Sequence, residues 1–361
     1  MTAQLPDSSC TAQTAVYAVT GQGAELGHRI ARKLGGQLFV PERLATRFDA
    51  SPMSGLMACV AQNFSRFQQH VFVTATGIAV RSIAPHLCSK QHDPAVVALD
   101  QRGQHCISLV SGHIGGANDL ATKIASITGG QAVITTATDT ERLPSLDSLA
   151  LEHGTSIRNI SAVKHVNGAL LESRTVALSD PDNLLELRSP RAAAQPWAKL
   201  FRHVSQHEAL NAQGPAVIVT VQALETPEQV LVLHPRTLVL GMGCRRGVPA
   251  ADLLAHVHRV LDEHGLAEQS LLGMASITAK SDEEGLLECA RTLRVPIHFY
   301  NQEQLSAVSV PNPSERVLER MGVPSVCEAA ALILSQAPSL LVPKTKTSNS
   351  TLAVAQVPSL S

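Results

Sequence analysis

The sequence predicts an α/β fold. It reads as an amino-terminal open α/β sheet domain, a small middle α/β region and a carboxy-terminal α/β domain. Three observations carry the prediction. Short Val, Ile, Leu and Ala runs alternate with segments of 3.6-residue periodicity, the pattern of strands alternating with helices. Glycines punctuate several strand-to-helix joins. Hydrophobic residues make up 44% of the chain but aromatic ones only 3%, so the cores must be aliphatic.

A chain of 361 residues has room for two or three domains, and the pattern divides it at 14–139, 140–236 and 237–357. In the first section "TAVYAVT" (14–20) reads as a strand. "AELGHRIARKL" (24–34) reads as a helix with Leu26, Ile30 and Leu34 on one face. "QLFV" is a strand and "GLMACVAQNFSRF" a helix. "HVFVTAT" (70–76) is a strand, after which Gly77 opens the helix "IAVRSIAPHL". "AVVALD" and "HCISLV" flank "QRGQ", a hairpin. "NDLATKIASITGG" is a helix burying Leu120, Ile124 and Ile127, and "QAVITTATD" (131–139) is a closing strand.

From 140 to 236 the pattern weakens. "PDNLLELRSPRAAAQPW" reads as a surface connection and "AVIVTVQA" as a strand, so the section is a small domain or an elaborated linker. Order returns in "TLVLGMGCRRGVPAADLLAHVHRVLDEHG" (237–265). A strand runs through a Gly-rich turn into a helix that starts near Pro249 and stops at Gly265. Leu253, Leu254, Val257, Val260 and Leu261 form its inner face. Strand "LLGMASITA", helix "DEEGLLECARTL", strand "PIHFYN", two helices and strands "SLLVPK" and "STLAVAQ" complete the chain. Lys344 and Lys346 alternate as on a solvated edge strand.

Composition excludes several classes. A net charge of −1 argues against a generally basic nucleic-acid binder. Seven scattered cysteines without a C-x-x-C pair fit neither a disulfide framework nor a structural zinc site, and a reducing cytoplasm suits them. Residues 1–13 lack a basic and an apolar signal region, and no apolar run reaches the ~18 residues of a membrane helix. His203 and His207 have metal-binding spacing but no evident third ligand, so no metal site is expected.

Chemistry gathers at glycine-flanked helix mouths. In "SGHIGGANDLATKIA" (111–125), Gly112, Gly115 and Gly116 permit a tight turn. Amides at the mouth then suit a carboxylate, a phosphate or a developing oxyanion. His113 beside them can move a proton near neutral pH, Ser111 opens the turn, and Asn118 can cap the helix or hold a ligand oxygen. A plain helix cap with a bystander histidine explains the same residues. "TATGIAVRS" repeats the theme with Thr76, Gly77 and Arg81, which can pair with a carboxylate or be an ordinary surface arginine. "GMGCRRGV" places Gly241, Gly243, Cys244, Arg245 and Arg246 at a third mouth, a strong anion site. It is neither a Walker loop nor G-x-G-x-x-G. Cys244 is either a nucleophile or small filler. Lys280 precedes a capping pattern, Ser281 with Glu284.

Together "VTATGIAVRSIAPHL", "SGHIGGANDLA", "LGMGCRRGV", "KSDEEGLLECA" and "LLVPKTKTSNSTLAVA", in this order, resemble the CbiG family of cobalamin biosynthesis, the cobalt-precorrin-5A hydrolases. The segment from about 237 resembles the shorter CobE-type proteins. Thr278 and Glu284 depart from the family's pattern. The resemblance implies a cytoplasmic enzyme acting on a ring-contracted cobalt tetrapyrrole. Water would open a δ-lactone, and a two-carbon unit would leave as acetaldehyde, giving cobalt-precorrin-5B. The cobalt would belong to the substrate, with no cofactor held by the protein. Neither nucleic acid nor membrane would be a partner, and contacts with neighbouring pathway enzymes would be transient. In this reading His113 activates the water and the Gly115 and Gly116 amides hold the oxyanion. Thr76, Gly77, Arg81, Ser111, Gly112, Asn118, Gly241, Gly243, Cys244, Arg245, Arg246 and Lys280 bind the substrate's carboxylates and ring. The alternatives are a non-catalytic tetrapyrrole carrier and a nucleotide-binding enzyme.

Overall fold

The computed structural model describes residues 13–89 and 92–358. The amino-terminal stretch read above for a signal peptide lies outside the described residues, apart from Gln13. The chain forms two compact units, Met1–Ser148 and Leu149–Ser361.

The first unit is built on seven strands: β1 (Thr14–Ala18), β2 (Gln37–Pro41), β3 (Ser51–Met53), β4 (Gln69–Val73), β5 (Ala95–Leu99), β6 (His105–Val110) and β7 (Gln131–Val133). Their order is β3-β2-β1-β4-β5-β6-β7. β1 to β5 run parallel; β6 turns antiparallel to β5, and β7 follows β6 in parallel. β1 and β5 are buried along their whole length, as strands covered on both faces must be. Val16, Ile30, Val71, Val97 and Ile124 share one face's core, and Tyr17, Phe39, Phe72 and Ile83 the other's.

Helix Gly21–Leu34 starts three residues before the predicted point, because Thr20 Oγ1 accepts the Gly23 N–H at 3.0 Å and caps it there. The stretch 131–139 is not one strand. β7 pairs with β6 over three residues only. Beyond it the chain turns into helix Ala137–Thr140, with Thr140 N–H donating to Thr136 O at 3.0 Å. Local turn bonds there override the β preference of the threonines.

The second unit holds two sheets. The section of weak pattern carries β8 (Thr155–Ile157), β9 (Val176–Ser179), β10 (Phe201–His203), β11 (Ala216–Val219) and β12 (Val230–Pro235), in the order β10-β9-β11-β12-β8. "PDNLLELRSPRAAAQPW" is more than a surface connection, since Leu185 and Leu187 are buried. His203 lies on β10 and His207 in helix Gln206–Leu210, so the pair does not share a helix face.

The second sheet comprises β13 (Leu238–Cys244), β14 (Leu271–Ile277), β15 (Ile297–Tyr300), β16 (Val342–Lys346) and β17 (Ser350–Gln356), ordered β15-β14-β13-β17-β16. β16 is the edge strand its lysines predict. Helix Ala250–Glu263 buries Leu253, Val257, Val260 and Leu261 as its spacing requires. Helix Val326–Ser335 presses against β13, where a Cβ on Gly241 would stand 1.8 Å from Cys327 O. Within this unit the two sheets are joined by backbone bonds: Ala267 N–H to Val221 O at 2.8 Å and Ala223 N–H to Gly265 O at 2.9 Å. Among the described residues no helix is long and apolar enough to cross a membrane.

Candidate active site

Strand direction decides which residues can meet. β6 opposes β5, with Val110 beside Val96 and Cys106 beside Leu99. The loop after β6 therefore lies at the edge where β4 and β5 begin. Ser111 Oγ confirms it by donating to Asp93 O, just ahead of β5, at 2.8 Å. Thr76, Gly77 and Arg81 follow the other end of β4. A five-residue strand, about 13 Å long, separates the two edges. The structure thus removes Thr76, Gly77 and Arg81 from the His113 site.

β7 runs parallel to β6 through the helix Ala117–Thr128, so the segments after both strands emerge side by side. His113 lies where they meet. Its Nε2 is 2.8 Å from Asp139 Oδ2 and 3.3 Å from Thr138 Oγ1. Its Nδ1 is 3.4 Å from Asp147 Oδ2 and 3.2 Å from Ser145 Oγ. Ser145 also donates to Asp147 Oδ1. Asn118 Nδ2 donates to Asp139 Oδ2 at 3.0 Å and to Thr136 Oγ1 at 3.1 Å, while its Oδ1 accepts from Ser108 at 2.7 Å.

The electrostatics follow from burial and pairing. The side chains of His113 and Asp147 are 13% and 11% exposed, that of Asp139 39%. The hydrogen bond to Asp147, then the one to Asp139, hold the imidazole's pKa above its usual range against the opposing effect of burial. Burial alone would raise the Asp147 carboxyl, but hydrogen bonds from His113 and Ser145 bring it down to about 2.

Several expected roles change. The Gly116 N–H donates to His113 O at 2.9 Å, and the Ala117 and Asn118 amides to Ser111 O and Gly112 O at 3.0 Å. These three donors close the loop, and the Gly115 amide is not among them. Gly116 is needed for its φ of 81°, and Gly115 because a Cβ would fall 2.3 Å from Ser111 Cβ. Gly112 likewise gives its Cβ space to Asn118 Oδ1, 2.9 Å away. Asn118 is buried and holds Asp139 rather than a ligand. Asp139, Asp147, Ser145, Thr136 and Thr138 escaped the sequence reading. Two acids shortly after the strand that follows the His113 helix were the available signal, since a parallel crossover returns the chain to the same edge.

On this edge a groove of about 870 Å³ opens among His28, Arg32, Gln37, Asp49, Ser51 and Arg66, with Leu38 and Phe67 among its apolar lining. Its side chains include three bases and one acid. Four strand spacings, about 19 Å, separate β2 beside it from β6.

The second unit carries a separate cluster. Glu283 accepts from Lys280 Nζ at 3.1 Å and Gly247 N at 2.9 Å, and Arg246 Nη1 lies 3.3 Å away. Arg246 also pairs with Asp282 at 3.1 Å. Lys280 is nearly enclosed beside Glu283, while the Arg246 side chain is 68% exposed and reaches both acids. The Gly247 amide, with Lys280 and against burial, holds the Glu283 carboxyl below the usual range. Arg245 is exposed, with its backbone N–H on Asn349 O at 2.9 Å. Burial pushes the Cys244 thiol up, more than Lys280 pulls it down, which favours the thiol over the thiolate. Gly241 makes room for Cys327, and Gly243 for Thr351 Oγ1, which a Cβ would approach to 2.8 Å. Helix Glu284–Thr292 has Glu283 at its N-cap position, with no side-chain cap bond, so the Ser281–Glu284 capping box does not form. Among the described residues no three metal-ligating side chains gather.

The family descriptions "Cobalamin synthesis G N-terminal", "Cobalamin biosynthesis central region" and "Cobalamin synthesis G C-terminus" match residues 58–139, 144–235 and 238–355. The cobalt-precorrin-5A hydrolase of Salmonella typhimurium is 35% identical over 326 residues, 89% of this chain and 92% of that protein. The enzyme of the same name from Priestia megaterium is 31% identical over 304 residues, 82% and 80% of the two chains. Protein CobE of a Sinorhizobium species is 36% identical over 121 residues, 33% of this chain and 79% of its own. The chain is an α/β protein of cobalamin synthesis. It belongs to the cobalamin synthesis G (CbiG) family.

Proposed function

We propose that this chain is a cobalt-precorrin-5A hydrolase. It opens the δ-lactone of the ring-contracted cobalt tetrapyrrole with water and releases acetaldehyde, giving cobalt-precorrin-5B. The observation that carries the reading is sequence identity of 31–35% over four fifths or more of both chains to two proteins of that name. The first unit supports an enzyme over a carrier. His113, Thr138, Asp139, Ser145 and Asp147 converge from separate segments on one polar centre, with a carboxylate at its open side. A carrier has no use for that arrangement.

The Arg32–Arg66 groove supplies the carboxylate anchor that Arg81 does not. A ligand reaching from it to His113 has to be large and acidic, as a tetrapyrrole is. Opening the lactone frees a hydroxyl on the carbon to be lost. Deprotonating that hydroxyl lets the carbon–carbon bond break, with its electron pair moving into the macrocycle. The cobalt enters with the substrate, and the reaction asks no cofactor of the protein. We place the enzyme in the cytoplasm, meeting its pathway neighbours only transiently.

The test is to incubate purified protein with cobalt-precorrin-5A under nitrogen, assay acetaldehyde and weigh the tetrapyrrole by mass spectrometry. Stoichiometric acetaldehyde is the expected result. Tetrapyrrole that binds and stays intact would establish the carrier instead.

A further inference from the structure

We propose that Asp139, not His113, takes the proton from the attacking water, and that His113 is a positioning residue, clamped as an imidazolium between Asp139 and Asp147. The proposal rests on the hydrolase reading above.

Geometry carries the argument. Each ring nitrogen of His113 faces a carboxylate oxygen, at 2.8 Å on one side and 3.4 Å on the other. A neutral imidazole has a single N–H, so one of its nitrogens would present a lone pair to a carboxylate. The doubly protonated ring satisfies both sides. It then has no lone pair left with which to accept a proton. The charged groups facing His113 are Asp139 from helix Ala137–Thr140 and Asp147 from helix Leu146–Glu152. Thr138 and Ser145 contribute hydroxyls. From helix Ala117–Thr128 comes only the neutral Asn118, which reaches Asp139.

Exposure selects the active member. Asp147 and His113 are nearly enclosed, and Asp139 is more than a third exposed. Both bonds that orient Asp139, from His113 and Asn118, end on Oδ2. The other oxygen, Oδ1, is left to meet water. Two carboxylates and one imidazolium leave one net negative charge, at the solvent side.

The step balances without a redox partner. One water O–H breaks and its proton goes to Asp139 Oδ1, while the water oxygen bonds to the lactone carbonyl carbon. The ring C–O bond then breaks, and the departing alkoxide takes the proton back from Asp139. One water is consumed and a carboxylic acid and a hydroxyl are formed.

Two measurements on the full chain decide it. The first needs no substrate: nitrogen-15 histidine NMR at pH 7, with the His113 signal assigned by its loss in H113Q. Two protonated ring nitrogens are expected, and a neutral ring overturns the clamp. The second is acetaldehyde release from cobalt-precorrin-5A across pH. Asp139→Asn should lower kcat by about 100-fold or more, with KM within about threefold. His113→Gln should lose less, about tenfold. Wild-type kcat should stay level or fall between pH 6 and 8. A histidine base would make it rise instead. A rising profile, or an Asp139→Asn enzyme within threefold of wild type, overturns the assignment. Wild type that releases no acetaldehyde overturns the hydrolase reading and the base with it, while the NMR result still judges the clamp.

Discussion

Replacing Asp147 by Asn tests the buried half of the His113 site through stability. The Asp147 carboxyl titrates at about 2, against an ordinary 3.8. A shift of nearly two units corresponds to about 2–3 kcal/mol at neutral pH. The sign follows from its direction. A depressed carboxyl contributes stability that is present above its unfolded value and lost as pH falls towards 2. The raised imidazole contributes stability that is complete below pH ~6.5 and lost as pH rises through its folded value. Both describe one pair, so they do not add. The pair is strongest between about pH 4 and 6.5. Asp147→Asn should therefore destabilise the first unit by about 2–3 kcal/mol at pH 5.5, and by clearly less at pH 9. Hydrogen exchange of the β6 and Ala117–Thr128 amides reports that unit. The single tryptophan, Trp197, reports the other and serves as a control. A difference under 0.5 kcal/mol at pH 5.5, or one unchanged at pH 9, would mean that Asp147 and His113 are not coupled in this way.

Three further outcomes follow from packing and placement. Gly241→Ala puts a Cβ 1.8 Å from Cys327 O and 2.8 Å from Ala331 N, so helix Val326–Ser335 must move. The second unit should lose about 3 kcal/mol, and its melting temperature should drop by about 6–12 °C in a Trp197 fluorescence melt. Arg32→Ala with Arg66→Ala should raise KM for the tetrapyrrole about tenfold. Arg81→Ala, at the other sheet edge, should leave KM within about twofold; the reverse order in steady-state kinetics would move the anchor. Cys244→Ser should keep kcat within about threefold in the acetaldehyde assay, since the thiol stays protonated.

Much was legible in the sequence because it is written locally. The buried runs of β1, β4, β5 and β13 and the periodic faces of Gly21–Leu34 and Ala250–Glu263 each report their own surroundings within a few residues. Caps and edges are local too, as Gly265 and the lysines of β16 show. Order along the chain also carried the family, since five motifs in sequence are far more specific than any one.

Burial, direction and partnership are not local. The hairpin between β5 and β6 was visible at "QRGQ", yet its consequence is tertiary: it reverses the strand and sends His113 to the edge opposite Arg81. At the glycine-rich mouth, sequence shows the amides and not the carbonyls that take those of Gly116, Ala117 and Asn118. Lys280 and Arg246 stand in the sequence as cations, without the Glu283 carboxylate that both reach in space. A histidine reads as a base from its ordinary pKa, but two aspartates, 26 and 34 residues further along, raise that pKa. The aliphatic cores, the alternating elements and the family are written along the chain. Only the tertiary structure decided which charges meet, because electrostatic pairing depends on distance in space and on exclusion of water, and neither is a function of separation along the chain.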